Sequence, residues 1–262
     1  MSDRADSSDA VLRKKQEAEF HDHHREGGDN RANGRFYAID RGNTRFVSSW
    51  FRERARGARI LDFGCGDGGF SFELAEFGAH VHGIDISPVS VDNAQKAAVE
   101  KGLADRCTFE VMDAEELTFP DAYFDYVVIL GVLHHLDLDP AYSELRRVIK
   151  PTGAVMAVEA LKHNPLIHWY RRATPTLRTA WETEHILGKP DIEKARGYFD
   201  SVDIRFFHLA TIAAVPFRNT RIFSPLLSTL EAIDVAVLKV PGLQWQAWMA
   251  AFILSKPKQD GS

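Results

Sequence analysis

From Arg59 onward, short apolar runs alternate with stretches in which apolar residues recur every three or four positions. Runs at Ile60–Phe63, His80–Ile84, Cys107–Met112, Tyr126–Leu130 and Val155–Val158 predict five parallel strands joined by helices, the pattern of βαβ units. Ser87 followed by Pro88 predicts an N-cap with proline in the first turn, and Val91, Ala94 and Ala98 then share one helical face. Asp139 and Pro140 repeat the device for a helix that carries Tyr142, Leu145 and Ile149 inward and stops at Pro151 and Gly153. After Glu159 the regularity fails until Val202–Phe207 and Met249–Leu254, two apolar runs expected to pair as a closing antiparallel hairpin around an insertion at 210–246. Within that insertion Ser224 and Pro225 are read as a helix start. Leu226, Leu230, Ile233 and Val237 fall on one face that either extends the core or roofs a pocket.

The chain therefore divides into an N-terminal flexible segment and helical cap (1–45), a core (46–162), a helical segment after the fifth strand (163–199) and the closing strands with their insertion (200–262). In the cap a helix is expected between Val11 and His24, broken by Gly27 and Gly28 before Phe36, Tyr37 and Ile39 turn inward. At 262 residues one α/β core with an added cap is the natural size. A net charge of -5 lacks the basic excess of a domain that tracks a phosphate backbone, so nucleic acid is not expected as partner. No apolar run approaches the roughly 20 residues of a membrane span. Two cysteines, Cys65 and Cys107, and a polar N-terminus without a signal peptide point to a cytoplasmic location.

Chemistry is concentrated at the ends of the predicted strands. Gly64-Cys-Gly66-Asp-Gly-Gly69 leaves the first strand and enters a helix, satisfying G-x-G-x-x-G. Glycine is needed where backbone bends sharply beside a ligand, and free N–H groups at the helix start favour an anion. Asp85, at the end of the second strand, suits ribose hydroxyls in a dinucleotide enzyme as well as in other nucleoside sites. Asp62, two residues before Gly64, is placed to attract a cationic amino group and to repel a pyrophosphate. Asp113 and Ala114 follow the third strand, where a carboxylate accepts from an adenine amine while a neighbouring backbone N–H donates to a ring nitrogen. Leu130-Gly-Val-Leu-His-His135 follows the fourth strand at the same edge.

Taken in order, these motifs, with Gly83-Ile-Asp85, Phe124–His135 and Leu145–Gly153, resemble the class I S-adenosylmethionine-dependent methyltransferases, in particular the group that modifies ubiquinone and natural products. The resemblance covers about residues 58–160. It implies a three-layer α/β/α sandwich with a seven-stranded, mostly parallel sheet and an antiparallel final strand, plus a helical cap. It also implies S-adenosylmethionine as cofactor, with Gly64 and Gly66 along its methionine, Asp85 at the ribose, Ile86 on an adenine face, Asp113 at the adenine amine and Leu130 offering a carbonyl to the amino group. Lys150-Pro-Thr-Gly153 departs from the family's usual Lys-Pro-Gly-Gly turn, away from the cofactor.

Methyl transfer from a sulfonium is an in-line displacement governed mainly by positioning. A base contributes when the acceptor is a hydroxyl or an acidic carbon. His135 and His185 are the candidate bases, and Tyr37, Arg171 and Arg172 the candidate acceptor contacts, within a pocket for a small or lipid-like molecule. His21, His23 and His24 lack further ligand spacing, so no metal is expected. The rival readings are a nicotinamide-dependent oxidoreductase built on the same glycines and a non-catalytic S-adenosylmethionine-binding protein. Oligomeric state and the identity of the acceptor are left open by the sequence.

Overall fold

The computed structural model describes residues 11–20, 22, 34–174, 179, 181 and 185–259. The described elements run, in chain order, helix α1 (residues 11–20), α2 (Gly34–Tyr37), α3 (Arg41–Arg52), β1 (Arg59–Phe63), α4 (Gly69–Glu76), β2 (His80–Asp85), α5 (Pro88–Glu100), β3 (Cys107–Val111) and β4 (Phe124–Leu130). They continue with α6 (Leu138–Val148), β5 (Ile149–Ala160), α7 (Pro165–Ala173), α8 (Lys189–Lys194), β6 (Phe199–Phe207), α9 (Phe223–Val237) and β7 (Met249–Pro257). Short 3-10 turns lie at Leu133–His135, Ala210–Phe217 and Leu243–Gln246.

The strands form one seven-stranded sheet in the order β3-β2-β1-β4-β5-β7-β6. β1 to β5 pair in parallel, and β7 runs antiparallel between β5 and β6. Strands buried on both faces alternate their side chains between two cores. Ile60, Val128 and Met156 pack towards Phe51, Phe72, Val91 and Ala94, whereas Leu61, Val127 and Val155 pack towards Tyr142, Leu145 and Ile192. The five apolar runs read as parallel strands thus occupy their expected places. Met249 pairs with both Ala160 and Phe207, so the start of β7 and the end of β6 sit at the carboxyl edge of the parallel strands. The segment between β6 and β7, with α9, therefore hangs at the edge where the glycine turn opens.

Local details differ from the sequence pattern in three places. The Ser87 hydroxyl does cap α5, accepting from Ser90 N–H at 3.0 Å. For α6 the cap is Asp137, whose carboxylate accepts from Asp139 N–H at 3.2 Å, so the helix begins one residue before Asp139. β5 is longer than its apolar run, starting at Ile149, with a register shift opposite Phe124/Tyr126. α9 starts at Phe223 without a side-chain cap, which places Ser224 and Pro225 inside its first turn. No helix among the described residues is long and apolar enough to cross a membrane.

Candidate active site

The turn after β1 is shaped by its glycines. Gly64 has φ +83, and a Cβ there would lie 2.4 Å from Val132 Cγ2, so only glycine fits both the backbone and the approach of the loop after β4. Gly64 and Cys65 N–H both donate to Ile84 O at 2.8 Å, pinning the turn to the end of β2. Asp85 completes the link: one carboxylate oxygen accepts Gly66 N–H at 2.9 Å and the other accepts Ser87 N–H at 2.9 Å.

Behind the turn, Asp62 is almost wholly buried and accepts a hydrogen bond from the Ser71 hydroxyl at 2.5 Å, which ties β1 to α4. Burial pushes its pKa up to about 6, the Ser71 hydrogen bond opposes the shift, and the nearby Asp85 charge adds to it. Cys65 is likewise pushed far above the ordinary thiol range, first by burial and then by the Asp62 and Asp85 charges, so it is no nucleophile.

The loop after β4 is organised by Glu159, a fully buried carboxylate near the end of β5. One oxygen accepts Val132 and Leu133 N–H at 2.8 and 2.7 Å, and the other accepts His134 Nδ1–H at 2.7 Å. His135, next along, meets Glu17 of α1, with Nδ1 and a carboxylate oxygen 2.8 Å apart. A carboxylate only accepts, so Nδ1 carries the proton in this contact.

Helix α1 lies across the same edge. Arg13 forms a two-pronged pair with Glu115 at 2.6 and 2.8 Å, and its guanidinium covers the Trp181 ring at 4.5 Å. Lys14 bridges Asp113 at 2.6 Å and Glu115 at 2.9 Å. Burial works against its charge, but those two carboxylates hold the ammonium above its usual range. Asp22 accepts from the Ser87 hydroxyl beyond the end of the helix.

Between these elements is a cavity of about 180 Å³. Its walls bring together Gly64, Gly66, Asp85, Ile86, Asp113, Ala114, Leu130 and His135, eight residues singled out from the sequence. Arg13, Lys14, Glu17, Met112, Glu115 and Val132 join them. Of the remaining candidates, Asp62 lies behind the glycine turn and none of Asp62, Tyr37, Arg171, Arg172 and His185 lines the cavity. His185 is exposed and stacks on Trp181, ring centroids 3.6 Å apart. Tyr37 packs edge-on against Trp248 at 5.7 Å. Arg171 and Arg172 fall in the last turn of α7. His21, His23 and His24 lie outside the described residues, among which no metal-ligating cluster occurs.

The site residues that the sequence left unnamed are Arg13, Lys14, Glu17, Glu115 and Glu159. Arg13 and Glu17 are one helical turn apart, a spacing that places both on one face, and Glu159 directly follows the fifth apolar run.

The donor set fits S-adenosylmethionine. Each Asp85 oxygen spends one lone pair on the backbone and keeps another for a ribose hydroxyl. Ile86, Met112, Ala114 and Leu130 provide apolar wall for an adenine and the methylene chain of a methionine. Lys14, by contrast, already occupies one oxygen of Asp113, and Glu115 N–H occupies the other at 2.9 Å, so an adenine amine must share that carboxylate.

Residues 61–157 match the family model described as a methyltransferase domain. The chain is 42% identical over 99 residues to a sterol 24-C-methyltransferase of Gibberella zeae, covering 37% of this chain and 26% of that protein. It is 36% identical over 116 residues to a ubiquinone/menaquinone biosynthesis C-methyltransferase of Brucella anthropi, covering 42% and 44% respectively. It therefore spans less than half the length of these curated relatives. Among solved structures, geranyl diphosphate C-methyltransferase from Streptomyces coelicolor superimposes over 87% of this chain and 85% of that one, with a TM-score of 0.57 at 13% identity, a likeness of fold. The glycine turn after β1 and the acidic end of β2 fall within the matched segment, so residues 61–157 are similar to a methyltransferase domain, and the seven-stranded sheet with its reversed strand extends beyond that segment to β6 and β7.

Proposed function

We propose that the whole protein is an S-adenosylmethionine-dependent methyltransferase acting on oxygen, carbon or nitrogen of a small, partly apolar acceptor. The observation that carries this reading is the Asp85 carboxylate, braced by Gly66 and Ser87 N–H at the mouth of the cavity and facing the edge where Gly64, Leu130 and His135 converge. Asp85 suits a ribose in either cofactor, whereas Asp62, beside the glycine turn, and Asp113, after β3, disfavour a nicotinamide dinucleotide. When bound, S-adenosylmethionine supplies a methyl group on a cationic sulfur. Gly64, Gly66 and Leu130 hold its methionine, Asp85 its ribose, and Ile86, Asp113 and Ala114 its adenine, while the buried charge of Asp62 favours the amino group through the turn.

His135 is the base we assign. Its imidazole lines the cavity, and Nδ1–H donates to the Glu17 carboxylate, so that the lone pair resides on Nε2 in the neutral ring. An acceptor hydroxyl or acidic carbon gives its proton to that nitrogen, and Glu17 stabilises the resulting imidazolium. His185, stacked on Trp181, serves as the alternative base from outside the cavity. We assign Tyr37, Arg171 and Arg172, outside the cavity lining, to contacts with the acceptor, and the free thiols Cys65 and Cys107 suit a reducing cytoplasm. The test is incubation of a metabolite extract with methyl-labelled S-adenosylmethionine, followed by mass spectrometry. A labelled product that requires the protein supports the reading, and an extract without any labelled product refutes it.

A further inference from the structure

Helix α9 is built inside out. Its only acids turn towards the protein: Glu231 binds Arg41 at 2.7 and 2.8 Å, and the buried Asp234 accepts N–H groups of Leu209, Ala210 and Thr211 and the Thr211 hydroxyl. Its amino-terminal half shows Ser224, Ser228 and Thr229 to solvent, but its last turns show apolar side chains, with Ile233 43% and Val235 64% exposed beside the exposed Ala232 and Ala236. Helix α7 has the same character. Ile167 is buried, while Leu166 and Trp169, one turn apart, are 50% and 66% exposed, with Arg172 one turn further on.

The two helices belong to one edge of the molecule. The Tyr170 ring of α7 lies 4.8 Å from Phe36, and Phe36 lies 5.6 Å from Trp248 at the head of β7. The 3-10 turn at Ala210–Phe217 contacts both α2, which carries Phe36, and α9. Cations flank the apolar faces: Arg218 and Arg221 precede α9, Lys239 follows it, and Arg171 and Arg172 end α7. Residues 165–173 and 215–230 contain no Asp or Glu, in a chain whose net charge is -5.

We infer that this face docks on an anionic lipid bilayer, with α9 and the exposed side of α7 lying in the interfacial plane. Exposed Trp, Ile, Val and Leu beside arginine and lysine are the combination that such a surface takes up. Charge decides between this occupant and a second copy of the chain. Both ends of α9 carry cations, so packing α9 against α9 in either direction brings like charges together, whereas acidic headgroups neutralise them. The inference stands independently of the reaction at the cavity.

The test is co-sedimentation of the full chain with vesicles of phosphatidylcholine containing about 30% phosphatidylglycerol, an anionic fraction sufficient to give a negative surface potential, against vesicles of phosphatidylcholine alone. Binding to the acidic vesicles only, weakened by high salt, is expected. Each cation near an acidic surface strengthens binding about fivefold, so Arg221→Glu with Lys239→Glu lowers the partition coefficient by at least about 25-fold. Trp169→Glu and Val235→Glu, at exposed positions, lower it as well. Cooperative thermal unfolding of each variant establishes that the fold is retained. No binding to acidic vesicles, equal binding to neutral ones, or unchanged binding by all variants overturns the inference. A sedimentation equilibrium showing self-association that Val235→Glu abolishes, without vesicle binding, assigns the face to a second copy instead.

Discussion

The Asp62 carboxylate is an acid that the fold holds at a cost. Its pKa rises from 3.8 to about 6, chiefly through burial, with the Asp85 charge adding to the shift. A shift of about two units corresponds to roughly 3 kcal/mol between the protonation states. Because the folded pKa is the higher one, the stability contributed by the protonated group is fully present below 3.8 and is lost as pH rises through 6. Asp62→Asn removes the titration and keeps an oxygen to accept from the Ser71 hydroxyl. The variant is therefore expected to match the parent near about pH 4 and to exceed it by up to about 3 kcal/mol near about pH 8. At roughly 2 to 4 °C per kcal/mol for a chain of this size, the melting temperature rises by several degrees. Thermal or urea unfolding followed across that pH range measures it. A difference that is constant with pH, or an Asn variant less stable than the parent at the alkaline end, refutes the reasoning. Saturating S-adenosylmethionine, whose amino group compensates the buried charge, narrows the gap.

Asp85→Ala loses the acceptor for two ribose hydroxyls and also releases Gly66 and Ser87 N–H, and calorimetry is expected to show S-adenosylmethionine binding weakened by roughly 1 to 3 kcal/mol. Asp113→Ala acts in the same direction but more mildly, since Lys14 and Glu115 N–H already share that carboxylate; a larger loss than at Asp85 means the adenine lies elsewhere. With a methyl acceptor in hand, His135→Ala lowers turnover by roughly 100-fold or more with little change in cofactor affinity, whereas His185→Ala, at an exposed stacked ring, has the smaller effect. The reverse order moves the base to His185. Gly153→Ala sets a Cβ 2.5 Å from the backbone oxygen of Asp125, which cannot step aside as a side chain can, so urea unfolding shows a loss of roughly 1 to 3 kcal/mol.

Much of the fold was legible because the parallel strands are buried on both faces and read as uninterrupted apolar runs. The limits were less so. Asp137 and Asp139 offer equivalent caps two residues apart, and only the backbone decides that Asp137 is used. β5 begins at Ile149 through pairing with Phe124, a long-range contact that Pro151 and Gly153 conceal in the sequence. In α9, Leu226 and Leu230 face the core as the periodicity suggests, but Ile233 is exposed while Leu227 and Asp234 point inward, because Asp234 is recruited to bind the turn at Thr211.

The strand-end residues gathered in the cavity are set by local glycine and acid spacing, which a sequence displays directly. Glu17, 118 residues from His135, and Lys14, which reaches Asp113, meet their partners only after the chain has folded, and nothing in their neighbourhood marks them. Glu159 could be taken for a strand terminus until the loop N–H groups that it satisfies are seen.

The most direct test of the central claim is a calorimetric titration of the protein with S-adenosylmethionine and, separately, with NADH. Saturable binding of S-adenosylmethionine at one site per chain, weakened by Asp85→Ala, is expected, with no measurable heat from NADH. Saturable binding of NADH, with none of S-adenosylmethionine, contradicts the claim.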